Sequence, residues 1–355
     1  MSWKDNTRKV TPYVPGEQPK AGDVVKLNTN ENPYPPAPGV ADALRKLADD
    51  YAIMRKYPDT NATSLVDALS EFYNVPSDNI FVGVGSDDVL AMSFLTFFDS
   101  DRPVLFPDIT YSFYEVWAET FRIPYKTVAL KDDFTIDIKD YEQLNGGVVI
   151  ANPNAPTSIC LDIDSVEKII SSNKDSVVII DEAYIDFGGV SALPLIDKYD
   201  NLLVVQTFSK SRSMAGARIG VAFGSPDIIA SLKAVKFSIN SYTMSHDSIR
   251  IGAAAASLND RSYFTETVDR IINTRTEATR RLTEMGFEVL ESSTNFLFAK
   301  HKTHKAVDIF NGLRDQNIYV RYFDKPRIND HLRITIGTPE EMDKLYSALE
   351  EILNR

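Results

Sequence analysis

Six short apolar runs in the middle of the chain alternate with longer segments that have a helical pattern. Several runs are apolar throughout instead of alternating with polar residues, which is typical of strands that helices cover on both faces. The pattern therefore predicts an α/β fold with a mostly parallel, doubly wound sheet. The runs are IFVGV (80–84), PVLF (103–106), GVVIA (147–151), VVII (177–180), LLVVQTF (202–208) and IGVAF (219–223).

The order of elements changes after the helical patterns that end at Gly286, a residue suited to close a helix. A last helix is predicted to open with a capping box of Thr338 and Glu341, with proline at the first helical position. We therefore divide the chain into a large domain over 41–286 and a smaller α+β domain over 287–355. Strands of the smaller domain are expected near TNFLFA (294–299), IYVRYF (318–323) and LRITIG (332–337).

The first 40 residues are rich in Pro, Asn and Tyr and show little periodicity. Segments such as TPYVPG and NTNENPYPPAPG favour turns over regular elements. We predict an extended arm over 1–40 that lies against the rest of the molecule.

Composition narrows the functional classes. Apolar residues at 43% and charged residues at 25% are typical of a folded globular protein. The net charge of −12, without a cluster of Lys and Arg, argues against a nucleic-acid partner. No apolar run approaches the roughly 18 to 20 residues that span a bilayer, and the start MSWKDNTRKV is too polar for a signal peptide, so a cytoplasmic location without membrane contact is expected. One cysteine, Cys160, excludes an internal disulfide, and four scattered histidines predict no metal site.

Polar residues follow four of the apolar runs, at the edge where an open parallel sheet binds its ligands. Gly85, Ser86 and Asp87 follow the first run and open a helical pattern whose free backbone N–H groups would suit a phosphate. Taken alone, each stretch is ordinary, because turns, N-caps and exposed lysines use the same residue types. The other three stretches are NPNAPTS after GVVIA, DEAY after VVII, and Ser209-Lys210 after LLVVQTF.

Taken together, these stretches indicate one cofactor. A lysine imine requires a carbonyl cofactor, a phosphate anchor, an anion facing a ring nitrogen and a phenol or amide near a ring hydroxyl, which describes a pyridoxal phosphate site. The chain has all of these groups at predicted strand ends. A Rossmann-type nucleotide site is disfavoured, because GVGSDD lacks the third glycine of its phosphate fingerprint.

The sequence resembles the fold-type I pyridoxal-phosphate aminotransferases, and among them the histidinol-phosphate aminotransferases, along nearly the whole chain. The most specific part is DEAY, whose aspartate lies 29 residues ahead of a serine-flanked lysine that AGARIG follows. The resemblance implies a mostly parallel seven-stranded sheet, pyridoxal 5'-phosphate as the cofactor, and a homodimer. The other resembling segments are TPYVPG, KLNTNENPYPP, RKYPD, GSDD, PDITYSFY, NPNAPTS, TNFLF and HLRITIG.

The resemblance assigns roles around the cofactor ring. It makes Lys210 the Schiff-base lysine and the general acid/base, and it pairs Asp181 with the protonated pyridine nitrogen. Tyr184 would hydrogen-bond the ring oxygen, and Tyr111 would stack over the ring.

The chain departs from the family at one position near the ring. The family commonly has Asn-Pro-Thr-Gly where this chain has Ala155-Pro156-Thr157-Ser158. Either Asn154 replaces the missing asparagine, or Tyr184 holds the ring oxygen alone. Asn154 is therefore included among the predicted cofactor contacts.

The resemblance also implies a cup for the cofactor's phosphate. Arg218 suits a phosphate because a guanidinium can donate two parallel hydrogen bonds. Tyr57 matches a residue that reaches the phosphate in the neighbouring subunit, so the active form would be a homodimer. Arg212, in the same stretch as Lys210, is expected to be solvated. The other predicted members of the cup are Gly85, Ser86, Asp87, Thr207 and Ser209.

For the amine substrate, Arg333 matches the arginine that binds an α-carboxylate. A structural salt bridge is the alternative for this arginine. Tyr13 and Arg321 match positions near the substrate's phosphate, and Asn30 and Asn295 are expected to line the pocket.

The resemblance implies a ping-pong transamination in which histidinol phosphate and 2-oxoglutarate interconvert with imidazole acetol phosphate and glutamate. The rivals on the same scaffold are an aromatic or broad-specificity aminotransferase and a threonine-phosphate decarboxylase. A non-catalytic regulator that senses pyridoxal phosphate and binds DNA is not expected, because the acidic chain leaves no room for a helix-turn-helix unit.

Overall fold

The computed structural model describes residues 2–13, 16–19, 22 and 24–354. In the predicted arm, Val14 and Pro15 of TPYVPG lie outside the described residues. The described strands are β1 (Val25–Lys26), β2 (Ile80–Gly83), β3 (Val104–Pro107), β4 (Tyr125–Val128), β5 (Gly147–Ala151), β6 (Val178–Asp181), β7 (Leu202–Thr207), β8 (Gly220–Gly224), β9 (Phe287–Val289), β10 (Phe296–His301), β11 (Ile318–Tyr319), β12 (Arg321–Tyr322) and β13 (Leu332–Thr335). The described α-helices are α1 (Pro38–Asp49), α2 (Thr63–Tyr73), α3 (Gly85–Phe97), α4 (Phe113–Phe121), α5 (Ile163–Ser172), α6 (Pro226–Ile239), α7 (His246–Ala255), α8 (Arg261–Glu284), α9 (Ala306–Asp315) and α10 (Pro339–Leu353).

Seven strands form the central sheet, in the order β2-β8-β7-β6-β5-β3-β4. Strand β8 runs antiparallel to both of its neighbours, and the other pairs in this sheet are parallel. The predicted α/β fold with a mostly parallel seven-stranded sheet is therefore confirmed. Strand β4 was not among the six apolar runs, because this edge strand exposes Lys126 and Thr127 and needs no two-sided apolar pattern.

The unbroken apolar runs are explained by helices on both faces of the central sheet. In β6, Val178 and Ile180 pack into one apolar layer, with residues of α2, α5 and α7. Ile179, between them, packs into the opposite layer, with residues of α3, α4 and α6. Successive side chains of a strand point to opposite faces, so a strand buried on both sides must be apolar at every position.

A smaller antiparallel sheet, in the order β12-β13-β10-β9, packs with α8, α9 and α10 around a third apolar cluster. The predicted strand IYVRYF is divided: β11 pairs with β1 of the arm, and β12 pairs with β13. Helix α8 was placed in the large domain from the sequence, but its packing joins it to the smaller sheet. Helix α10 begins with the predicted capping box of Thr338 and Glu341. Across the described residues, no helix is both long enough and apolar enough to cross a bilayer.

Candidate active site

The carboxyl ends of β5, β6 and β7 and the first turn of α3 surround a cavity of about 180 Å³, which we call the first cavity. This is the edge at which an open parallel sheet binds ligands. Most residues predicted to contact a cofactor line it together. They are Ser86, Asp87, Tyr111, Asp181, Tyr184, Thr207, Ser209, Lys210 and Arg218.

Lys210 lies in the turn that follows β7, and its amine points into the first cavity. The Asn32 amide holds this turn by donating hydrogen bonds to the carbonyl oxygens of Lys210, at 3.0 Å, and Ser211, at 3.2 Å. The Lys210 Nζ donates to the carbonyl oxygen of Thr29 at 3.2 Å and lies 5.7 Å from the centroid of the Tyr184 ring. The hydrogen bond to Thr29 is polar and reversible, so the amine can leave Thr29 for a carbonyl carbon in the cavity.

Asp181 ends β6, with 5% of its surface exposed. Its carboxylate accepts hydrogen bonds from the Tyr114 hydroxyl at 2.6 Å and from the Ala183 N–H at 3.2 Å. Burial raises the pKa of Asp181 to about 6, although the hydrogen bond from Tyr114 opposes this effect. A buried carboxylate in this state is stabilised by a cationic partner, such as a protonated ring nitrogen.

The opposite end of the first cavity collects groups that suit an anion. Helix α3 begins at Gly85, so the N–H groups of its first turn are free of intrahelical partners. The Arg218 guanidinium lies against this turn, and a Cβ added to Gly85 would be 2.4 Å from its Nη2 atom. Gly85 has a φ of +83°, so both its backbone and this close approach require glycine.

Asp87 has a different role from the one its place in the cup suggests. Its carboxylate accepts a hydrogen bond from the Tyr111 hydroxyl at 2.7 Å and pairs with Arg218 at 3.3 Å. Burial, and then the charge of Asp87, raises the pKa of Tyr111 well above its usual value, so Tyr111 remains a donor. A carboxylate cannot donate a hydrogen bond to a phosphate, so the anion-binding group of Asp87 is its backbone N–H.

The hydroxyls of Thr207 and Ser209 complete this end of the cavity, with Thr207 Oγ1 donating to Ser209 Oγ at 3.0 Å. Strand β8 lies so close to the start of α3 that a Cβ on Gly220 would be 2.4 Å from the Ser86 nitrogen. This close approach places Arg218, two residues before the strand, beside the turn of Gly85.

A second cavity of about 700 Å³ opens next to the first, and Tyr111 and Ala155 line both. Tyr13, Arg321 and Arg333, which were predicted to bind the substrate, line the second cavity. Tyr13 stacks on Phe113 with ring centroids 4.3 Å apart, which fixes this part of the arm.

Three arginines line the second cavity. Arg327 pairs with Asp108 at 3.1 Å, whereas Arg321 and Arg333 lie opposite each other on paired strands, each with its Cζ 5.5 Å from the Phe323 ring centroid. The Arg333 Nη2 donates to the Asn28 carbonyl oxygen at 2.9 Å, while its buried Nε has no hydrogen-bond partner among the residues that the structure describes. Burial lowers the pKa of Arg333. A desolvated guanidinium with a free N–H is a site for an anion.

Five predicted contacts line neither cavity: Gly85, whose turn is described above, Tyr57, and the asparagines Asn154, Asn30 and Asn295. The Asn154 amide is used within its own loop: its Oδ1 accepts from Thr110, and its Nδ2 donates to Ile109 and Thr157. It therefore has no free N–H for a ring oxygen. The prediction that Asn154 replaces the missing family asparagine was wrong. Asn30 and Asn295 are buried, at 1% and 0% exposure, beneath the cavities instead of lining them.

Tyr57 lies away from both cavities and is 78% exposed. It stacks on Tyr242 with ring centroids 4.4 Å apart. Its ring therefore makes no contact with the cofactor cavity of its own chain.

The expectation that Arg212 is solvated was wrong. The guanidinium is buried, at 6% exposure, and its Nη1 donates to the Ala255 carbonyl oxygen at 2.8 Å. Cation–π contacts compensate its lost hydration. Its carbon Cζ lies within 6 Å of four ring centroids, those of Phe72, Tyr73, Phe208 and Phe264.

The sequence interpretation missed three residues of the site. Tyr114 lies in PDITYSFY beside the predicted Tyr111, but its bond to Asp181 joins residues 67 positions apart. Thr29 and Glu31 line the first cavity from the arm, where the sequence has no periodicity that would show which side chains face inward. The NTNENP segment was the available signal.

Comparisons with known proteins agree with this geometry. The family model for aminotransferase class I and II matches residues 22–349. A histidinol-phosphate aminotransferase of Lactococcus lactis subsp. cremoris (strain MG1363) is 49% identical over 353 residues, 99% of this chain and 98% of that protein. One of Acinetobacter baumannii (strain AYE) is 50% identical over 350 residues, 98% of this chain and 96% of that protein.

A solved structure adds the cofactor to this comparison. Histidinol-phosphate aminotransferase from Sinorhizobium meliloti, in complex with pyridoxal-5'-phosphate, matches with a TM-score of 0.84 at 26% identity, covering 93% of this chain and 91% of that chain. The fold, the cavity at the carboxyl edge and the extent of the sequence match lead to one conclusion. The chain belongs to the class I and II aminotransferase family.

Proposed function

We propose that the protein transfers the amino group of histidinol phosphate to 2-oxoglutarate, giving imidazole acetol phosphate and glutamate. The observation that carries the proposal is the position of Lys210 and Asp181 in one cavity, beside a second cavity that Arg321 and Arg333 line. The relatives named histidinol-phosphate aminotransferase, about half identical over nearly the whole chain, support the choice of substrate.

Pyridoxal phosphate is the cofactor of this family, and the first cavity suits it. A cation would stabilise the buried Asp181 carboxylate. An anion would bind to the free N–H groups at the start of α3 and to Arg218. When bound, the cofactor acts as an electron sink for the bond that breaks at the α-carbon of the amine.

The residues of the first cavity divide the chemistry. Lys210 Nζ would bind the cofactor's carbonyl carbon and, once the substrate amine displaces it, take the proton from the substrate's α-carbon. Asp181 would keep the ring nitrogen protonated, and Tyr184 would donate to the ring oxygen. Tyr111 would lie against the ring and exclude water from one face.

The phosphate would be held by donors at the other end of the cavity. Neutral hydroxyls and backbone N–H groups orient it, and the guanidinium supplies charge. The proposed donors are the N–H groups of Ser86 and Asp87, the hydroxyls of Thr207 and Ser209, and Arg218.

Arg321 and Arg333 of the second cavity suit substrates that each carry an anion. Arg333 would bind the α-carboxylate of glutamate and 2-oxoglutarate. Arg321 and Tyr13 would bind the phosphate of histidinol phosphate. Each bound substrate would then have its reacting carbon beside Lys210, one substrate in each half-reaction.

We also propose a homodimer, because the exposed, pre-stacked Tyr57 suits a role in the cofactor site of a second subunit. A solution molar mass equal to that of one chain would contradict this assembly. The cytoplasmic location expected from the sequence stays a prediction.

A substrate panel with 2-oxoglutarate as the acceptor tests the proposed reaction. We expect kcat/KM for histidinol phosphate to exceed that for phenylalanine and tyrosine by at least about 100-fold, because those amines lack the phosphate that an arginine would bind. Equal use of phenylalanine would favour a broad-specificity enzyme. Release of carbon dioxide from threonine phosphate without an acceptor would favour the decarboxylase.

A further inference from the structure

One segment of the arm, residues 28–32, contacts the catalytic and substrate-binding residues at almost every position. These contacts join the arm to the central sheet and to the smaller antiparallel sheet. The segment can therefore fix the relative positions of the site residues. The contacts are Asn28 O with Arg333 Nη2 at 2.9 Å, Thr29 O with Lys210 Nζ at 3.2 Å, Asn30 Nδ2 with the Tyr184 hydroxyl at 2.8 Å, and Asn32 Nδ2 with Lys210 O at 3.0 Å.

Asn30 contacts Tyr184 through an amide whose orientation is set by Thr335. The Asn30 backbone N–H donates to Thr335 Oγ1 at 3.0 Å, so that oxygen is an acceptor there. The Thr335 hydroxyl then donates to Asn30 Oδ1 at 3.0 Å. With the amide reversed, the Thr335 oxygen would have to accept a second hydrogen bond, from Nδ2, and the Thr335 hydrogen would lose Asn30 Oδ1 as its acceptor. Thr335 therefore directs Asn30 Nδ2 toward Tyr184.

The direction of this hydrogen bond decides what the Tyr184 hydroxyl can do. Because its oxygen accepts from Asn30, its own hydrogen is not used in that contact and can point into the first cavity. An acceptor at position 30 would instead take the tyrosine hydrogen. Asn30 is 1% exposed and Tyr184 9% exposed, so water cannot easily replace either partner.

This hydrogen bond is more important here because no asparagine amide would be a second donor to the ring oxygen beside Tyr184. The family's asparagine is replaced by Ala155, and the neighbouring Asn154 uses its amide within its own loop. We propose that Asn30 is a positioning residue that makes Tyr184 a hydrogen-bond donor to the ring oxygen of the bound cofactor. The inference rests on the proposed function of Lys210 and Tyr184.

A donor at the ring oxygen has a spectroscopic consequence. It stabilises the negative charge on that oxygen, and so favours the deprotonated form of the chromophore. Loss of the donor should therefore raise the pH at which the visible absorption band of the bound cofactor changes. This readout does not require turnover.

The experiment compares Asn30→Gly with Tyr184→Phe and with the double variant, all loaded with pyridoxal phosphate. Glycine is chosen because Asn30 has a φ of +57°, which glycine adopts without strain. We expect Tyr184→Phe to raise the spectroscopic pKa by about one unit, Asn30→Gly to raise it by part of that shift because the Tyr184 hydroxyl can then turn away from the ring oxygen, and the double variant to match Tyr184→Phe. Asn259→Ala, at an exposed position, is the control and should titrate as the wild type.

Asn30→Asp supplies a second test, because aspartate keeps the left-handed backbone preference and, when ionised, can only accept. Its negative charge raises the spectroscopic pKa in the same direction. It should shift the titration at least as far as Asn30→Gly. The inference is overturned if both variants bind the chromophore and titrate as the wild type, or if Asn30→Gly adds its full shift to that of Tyr184→Phe. A wild-type protein with no chromophore bound at Lys210 would instead contradict the proposed function.

If Asn30→Gly does not fold, Thr335→Val replaces it. Valine has nearly the same shape and removes both of the bonds that orient the Asn30 amide. It should raise the spectroscopic pKa in the same direction, and an unchanged titration would overturn the inference.

Discussion

The two ends of the first cavity are built in different ways. We call the end that contains Asp181, where the ring of the proposed cofactor would lie, the ring end. There, Asp181, Tyr184 and Tyr114 are 5%, 9% and 0% exposed, and each has a fixed hydrogen-bond partner. We call the opposite end, where the phosphate of the proposed cofactor would lie, the phosphate end. There, the side chains of Arg218 and Asp87 are 44% and 40% exposed. Backbone N–H groups of α3 and the buried hydroxyls of Thr207 and Ser209 supply the rest of that end.

This difference follows from the cost of burying charge. A buried carboxylate must have its partners in place before a ligand arrives, because water cannot solvate it. An exposed guanidinium is solvated without its ligand, so it can be held loosely by a carboxylate such as Asp87. We therefore expect the ring end to determine the rate of reaction, and the phosphate end to determine the affinity for the cofactor.

The largest effect should come from Asp181→Asn at the ring end. Without the charge, the ring nitrogen loses the partner that keeps it protonated, so kcat should fall by about 100- to 1000-fold. The Kd for the cofactor should rise much less. Steady-state kinetics at saturating cofactor, with exposed Asp132→Asn as the control, measures this. A kcat within a factor of two of the wild-type value would contradict the claim that the ring end determines the rate of reaction.

A smaller effect is expected for Arg218→Lys at the phosphate end. Lysine keeps the charge but loses the two parallel hydrogen bonds, so the Kd for pyridoxal phosphate should rise about tenfold. At saturating cofactor, kcat should stay close to the wild-type value. Equilibrium dialysis of the cofactor, together with kcat, measures both. If kcat falls more than the affinity does, the two ends do not divide their tasks as we propose.

The central sheet could be predicted because its strands are buried on both faces. IFVGV and GVVIA contain no polar side chain, LLVVQTF is polar only at Gln206 and Thr207, and each became a strand. Strand β4 could not be found in this way, because YKTV is short and half exposed at an edge. The division of IYVRYF between β11 and β12 depends on pairing with the distant arm, which a local pattern does not contain.

In the site, the sequence predicted best the residues at strand ends, such as Asp181 and Lys210, which the topology brings to one edge. It did not predict where a buried polar group finds its partner. Asn154 uses its amide in its own loop, and Arg212 enters an aromatic cluster formed by residues from α2, α8 and the turn after β7. Those partners are set by packing between elements that lie far apart in the sequence.

The central claim is that Lys210 carries the cofactor. Borohydride reduction of the loaded protein, followed by peptide mapping, tests it most directly. We predict that the reduced cofactor is found on the peptide that contains Lys210, and that Lys210→Ala neither retains a reducible chromophore nor transaminates. Cofactor attached to another lysine, or trapped unchanged in Lys210→Ala, would contradict the claim.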